Sequence, residues 1–186
     1  MVVDDAWREP DLRPFLELPD RAWAEFDSTG RIRWASDLAE IPQRFGVTNV
    51  HAELGTSFAN SAVAHPKFSA ALVGTLIKGM GADHVMWGTD SVWYGSPQWQ
   101  IEAMRRLEIP EDMQKKYGFP AVGGANSATK QLIFGANAAR LYRINLKAAD
   151  TRMPAYSEDR LASLKSEYEL AAKDPSNLHY GYVRRA

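Results

Sequence analysis

Asp83-His84-Val85-Met86-Trp87-Gly88-Thr89-Asp90 is the segment from which the architecture follows. A short apolar run, Val85 to Trp87, is entered from the Gly79-Met80-Gly81 break and closed by a small residue and an acid. That pattern predicts a buried parallel strand over residues 84–90 with a carboxylate at its carboxyl end, where α/β folds place their chemistry. Alternation sends Met86, Gly88 and Asp90 to one side and Val85, Trp87 and Thr89 to the other. Asp90 therefore reads in two ways: an acid presented to a site, or an ordinary turn or helix-capping residue after a strand.

Upstream, Pro66 fits the first turn of a helix running to Lys78, with Phe68, Ala71, Leu72, Thr75, Leu76 and Met80 on its apolar side. Before it, a polar loop through Thr56, Ser57, Asn60 and Ser61 leads to His65. Residues 49–55 form a second strand, with Val50, Ala52 and Leu54 on one face and His51 and Glu53 on the other. Glu53 looks either into a polar cavity such as a barrel mouth or into solvent at a sheet edge, since a buried unpartnered carboxylate is costly. Strand, helix, strand predicts two parallel neighbours joined by a crossover. Two further helices precede them. One opens at Pro19-Asp20, shares Trp23 and Phe26 on a buried face and ends near Gly30; the other spans residues 37–46 with Leu38, Ile41 and Phe45 inward.

Downstream, residues 91–97 form an aromatic loop in which Trp93 and Tyr94 supply either a pocket wall or a plug over the core. Helices follow from Ser96 or Pro97 through Leu107, from Pro110, and over residues 129–142 with Leu132, Ile133, Ala136, Ala139 and Leu141 along one side. From Lys147 the composition turns to alternating charge, and residues 157–173 predict a solvated helix. Residues 1–30 read as an arm and short helix, 31–146 as the packed body and 147–186 as the tail.

Composition narrows the function. The 186 residues carry 22 basic and 23 acidic side chains, a formal charge of −1, so no field draws in nucleic acid or anionic lipid. No cysteine is present, which removes disulfides, thiol catalysis and thiolate ligands. The longest apolar window, residues 68–80, falls short of the roughly 20 residues that span a bilayer, and residues 1–10 carry three acids and no apolar core. The expectation is a cytoplasmic chain with neither nucleic-acid nor membrane partner.

Gly88-Thr89-Asp90 after an apolar strand, the Asn49-Val50-His51-Ala52-Glu53-Leu54 strand, the Gly81-Ala82-Asp83 turn and the helix Phe134-Gly135-Ala136-Asn137-Ala138-Ala139-Arg140-Leu141-Tyr142 together resemble the carboxyl-terminal part of the amidohydrolase-related family, which includes aminocarboxymuconate-semialdehyde decarboxylase. The resemblance implies an α/β fold made of the last βα units, strands seven and eight, of an incomplete (β/α)8 TIM barrel with a helical tail. It implies that Asp90 binds a divalent metal, zinc foremost, or takes a proton from its water, with hydrolysis or decarboxylation of a small molecule as the reaction. Trp93, Tyr94 and Glu53 are then candidates for the substrate pocket, and Asn137 and Arg140 tie the last helix to the barrel. The family's His-x-His ligands are absent here: the four histidines are His51, His65, His84 and His179. His84 and His179 read as bystanders, and His65 as a helix-entry residue that alone among the four could approach Asp90. The resemblance therefore implies a chain that binds no metal and is inactive alone, completed by an amino-terminal half or by homo-oligomerisation. The alternative is a non-catalytic truncated or split-barrel subunit acting by protein association.

Overall fold

The computed structural model describes residues 19–145 together with 162–163, 166–167, 179–180 and 183–184. Helix α1 (Pro19–Thr29) and helix α2 (Arg33–Phe45) lead to strand β1 (Ala52–Glu53), then α3 (Gly55–Ala64) and α4 (Pro66–Met80). A 3-10 turn (Ala82–His84) enters strand β2 (Val85–Met86), followed by α5 (Ser91–Tyr94), α6 (Gln98–Arg106) and α7 (Glu111–Tyr117). The last helical stretch is α8 (Ala128–Gln131), a π turn (Leu132–Ala136) and α9 (Asn137–Leu141). In the tail, β3 (His179–Tyr180) pairs antiparallel with β4 (Val183–Arg184), and the described residues 162–163 and 166–167 are helical. The expected arm over residues 1–18 and most of the expected tail helix lie outside the described residues.

β1 and β2 pair in parallel, Ala52 with Val85 and Glu53 with Met86, as the two-unit pattern predicts. One side of this small sheet is packed: Ala52, Leu54 and Val85 are buried among Phe58, Phe68, Leu72, Leu76 and Ile133. Trp87 closes that side, 5.6 Å from the Phe58 ring and 4.9 Å from Phe134. By alternation His51, Glu53, Met86 and Gly88 lie on the other side, which no helix among the described residues buries. The core runs along α4, whose Phe68, Ala71, Leu72, Val73, Leu76 and Met80 are buried, so this helix is covered nearly all round.

Four expectations needed correction. Both strands are shorter than their apolar runs, because the chain turns left-handed at Gly55 (φ 37) and Asp90 (φ 48) and a 3-10 turn takes the entry to β2. Residues 56–61 form helix α3 instead of a loop; Ser61 folds its hydroxyl back onto the Ser57 carbonyl at 2.7 Å, so the polar residues do not interrupt it. Helix α2 begins at Arg33, buries Ala35, Ser36 and Ala39, and leaves Phe45 68% exposed. Small residues form that inner face because α4 passes close by: a Cβ at Gly79 would stand 2.7 Å from the Ala39 Cβ. The aromatic segment after Asp90 begins as the short helix α5.

Two buried polar side chains fasten the outer helices. Lys130 donates to the carbonyls of Arg105 and Leu107, both at 2.8 Å, closing the end of α6, and burial holds its ammonium below the usual lysine range. Asn137 donates from Nδ2 to the Ala82 and Val85 carbonyls at 2.8 and 2.7 Å. Arg140 donates to the Asp83 carbonyl. The last helix is thereby tied to the entry of β2, in the positions expected of Asn137 and Arg140.

Candidate functional site

Asp90 stands beyond the carboxyl end of β2, where the chain passes through Trp87, Gly88 and Thr89 and then turns left-handed. Gln100, buried on α6, donates to the Thr89 carbonyl at 2.8 Å and fixes the approach. At Asp90 the backbone is left-handed, a conformation that aspartate tolerates better than most residues other than glycine. Asp90 occupies the capping position of α5, yet its side chain makes no bond to that helix. It crosses to the end of the neighbouring strand. Both the Thr56 backbone N–H and the Thr56 hydroxyl donate to Asp90 Oδ2, each at 2.6 Å. The carboxylate thus satisfies one of the orphan N–H groups at the start of α3. Oδ1 receives no donor among the described residues.

This contact depends on Gly55. Its φ of 37° and the close approach leave no room for a side chain, since a Cβ there would meet Asp90 Oδ2 at 2.7 Å. The mirror relation holds one step back: a Cβ at Gly88 would stand 2.6 Å from Glu53 Cδ, so Glu53 lies across Gly88 as Asp90 lies across Gly55. Each strand end offers a glycine to the acid of the other. Glu53 and Asp90 accordingly share one face of the sheet, Glu53 exposed and Asp90 half-buried.

Trp93 is 62% exposed on α5, with its backbone N–H donating to the Asp90 carbonyl at 2.9 Å. It does not plug the core. The Tyr94 side chain lies outside the described residues. Two clefts of about 380 Å3 each open elsewhere on the molecule, and neither is lined by Asp90, Glu53 or Trp93.

The described histidines do not gather at Asp90. His65 caps α4, accepting from the Phe68 N–H at Nδ1 (3.1 Å), and stacks on Trp23 at 5.3 Å. His51 and His84 stack on each other at 4.9 Å toward the amino ends of the strands. His84 Nε2 donates to the Thr48 carbonyl at 3.0 Å, and Nδ1 is 3.1 Å from Asp83 Oδ1. Among the described residues no three of His, Asp or Glu are placed to hold a metal ion. A single carboxylate with a threonine donor set does not fit a catalytic divalent ion, which takes about three protein ligands.

The sequence named Asp90, Glu53, Trp93 and Tyr94 as candidates; Thr56, Gly55 and Gln100, which hold the Asp90 side chain and its approach in place, were not singled out. A signal did exist in the repeated Gly-Thr pair, Gly55-Thr56 and Gly88-Thr89, at the ends of both strands. In comparison with protein families, residues 20–144 match the family described as amidohydrolase. No curated protein and no solved structure matches the chain. Among the described residues no helix is long and apolar enough to cross a membrane.

Proposed function

We propose, from the premise that this chain belongs to the amidohydrolase family, that it supplies the acid-bearing strands of a hydrolase site whose remaining ligands lie outside residues 19–145. Enzymes of this family are in general metal-dependent hydrolases. In this reading β1 and β2 are strands seven and eight of a (β/α)8 barrel, and the uncovered sheet face with His51, Glu53, Met86 and Asp90 is an interior face. One observation carries it: among the described residues, two adjacent parallel strands are packed by helices on one side only, and their acid sits at the carboxyl end of the other side. Helix-covered outside and polar inside is the arrangement a barrel requires.

Within the completed site, Thr56 holds Asp90 through Oδ2 and leaves Oδ1 to accept a proton from the attacking water. Glu53 and Trp93 form the wall against a small-molecule substrate. The described donors do not assemble a metal site, so we assign the imidazoles, and the zinc they would hold, to a partner polypeptide or another copy of this chain. The isolated chain is then inactive. The test is the protein in its assembled form, isolated by mass and assayed on chromogenic esters and amides. Asp90→Asn is expected to abolish hydrolysis while the assembly still forms; turnover within threefold of wild type would remove Asp90 from the chemistry.

A second reading, association without catalysis, is favoured by the same donor count and by the outer edges of β1 and β2, which pair with no other strand among the described residues. It predicts an assembly without turnover before any substitution is made.

A further inference from the structure

One of the two clefts opens between α3, α4 and α6, where Phe58, Ala62, Ala70, Ala103, Leu107 and Pro110 make its walls apolar. Pro66 and Lys67, from the first turn of α4, complete one end. The start of α1 lies at that same end, because α1 and α4 run side by side in one direction. At one end Asp20 stands 4.0 Å from His65 Nε2 and Trp23 stacks on the His65 ring. At the other, Asp27 binds Lys116 and Tyr117, whose carbonyl accepts from Lys78. Lys67 joins the two features, lining the cleft with its ammonium 5.8 Å from the Trp23 ring centre. Among the described residues it meets no carboxylate at ion-pair distance. The other charged lining residues are engaged: Arg106 with Glu102 on its own helix at 3.5 Å, and Glu108 within electrostatic reach of the buried Lys130.

Directly before α1 the sequence reads Pro14-Phe15-Leu16-Glu17-Leu18, three large apolar side chains and one acid. We propose that this segment docks in the cleft of its own chain, with Phe15 between the apolar walls and Glu17 on Lys67. Pro19 disfavours a helical Leu18, so the segment leaves α1 extended, and alternation then puts Phe15 and Glu17 on one side. Four extended residues reach about 13 Å, and the cleft wall begins one residue beyond His65, at Pro66. Apolar walls beside one unmatched cation suit an apolar segment that carries one carboxylate; a basic or wholly polar occupant would bury little there and oppose Lys67. The docking is separate from Asp90 and does not rest on the hydrolase reading.

The test is amide NMR on the full chain. Phe15→Ser is expected to shift the Ala62, Ala103 and Leu107 amides, in walls far along the chain from position 15, and to leave Gly88 unmoved. Glu17→Lys is expected to shift the same amides, and Lys67→Glu added to it to return them toward their wild-type positions. A peptide of residues 13–20 is expected to saturate these amides in Phe15→Ser with a dissociation constant on the order of 1 mM. Wild type should bind it several-fold more weakly, because the tethered segment competes at a millimolar effective concentration. Unmoved wall amides in Phe15→Ser, or no return in the double variant, would overturn the proposal. So would an equal response of both chains to the peptide or to hexanoate, as in a cleft that takes a free apolar acid, or wall shifts that follow protein concentration, as for the segment of a second copy.

Discussion

Substituting Asp90 by asparagine and by alanine separates what its oxygen does from what its charge does. Both Thr56 donors converge on one atom, Oδ2, at 2.6 Å. Asparagine places one carbonyl oxygen there and keeps both bonds, losing only their charge assistance. Bonds to a charged group contribute about 1.5–3 kcal/mol and neutral ones about 0.5–1.5, so two bonds lose about 2 kcal/mol at most. Half-exposure of Asp90 screens this to about 1 kcal/mol. Alanine removes the acceptor outright, leaves a Thr56 N–H orphaned at the start of α3, and must hold the left-handed φ of 48° without aspartate's local tolerance. That loss comes to about 3–4 kcal/mol. With a urea slope of about 2 kcal/mol per molar, the unfolding midpoint should fall by about 0.5 M for Asp90→Asn and about 1.5–2 M for Asp90→Ala. Equal losses in the two variants, or an alanine variant as stable as wild type, would refute the view that this oxygen ties the two strand ends together.

Asn137→Ala leaves the Ala82 and Val85 carbonyls without their shared donor and should cost about 2–4 kcal/mol by urea unfolding. Asn137→Asp, which turns an acceptor toward both carbonyls, should cost more. Gly79→Ala gains about 1 kcal/mol of helix propensity, yet its Cβ meets the Ala39 backbone carbonyl, so a net loss of about 1–3 kcal/mol is expected; a rise in midpoint would contradict the close α2–α4 crossing. Asp27 accepts hydrogen bonds from Lys116 and Tyr117, both at 2.7 Å, which hold its carboxyl below the ordinary value of 3.8. Because the unfolded chain takes up this proton first, the stability Asp27 contributes is present above pH 3.8 and is lost as pH falls through the lower folded value. The gap in melting temperature between wild type and Asp27→Asn should therefore be flat from pH 7 to 5 and narrow on further acidification; a constant gap down to pH 2 would contradict the contact.

What the sequence made legible followed from strong local patterns. Pro66, the apolar period of α4 and the runs at Ala52–Leu54 and Val85–Trp87 identified the crossover and the parallel pair, because one face of each had to be buried. The lengths of the strands were not legible, since pairing ends at two left-handed residues and an apolar run does not announce a turn. Helix α3 was hidden by Thr56, Ser57 and Asn60, whose polarity reads as loop until the Asp90 carboxylate, 34 residues away, takes the Thr56 N–H. The inner face of α2 was misread for a related reason: Ala39 packs against Gly79 and Ala35 is buried with it, while large residues such as Phe45 attract attention they do not repay in burial. The acid at position 90 was visible from its place after a strand; its partner was visible only in three dimensions.

In the proposed assembly this chain presents its acid to a site completed by residues beyond those placed around Asp90. Sedimentation velocity with metal quantified across the boundary, after incubation with excess zinc and removal of the unbound ion, tests it. The monomer is expected to carry far less than one zinc per chain, with metal and hydrolysis appearing together only in a larger assembly. One tightly held zinc in an active monomer would contradict it.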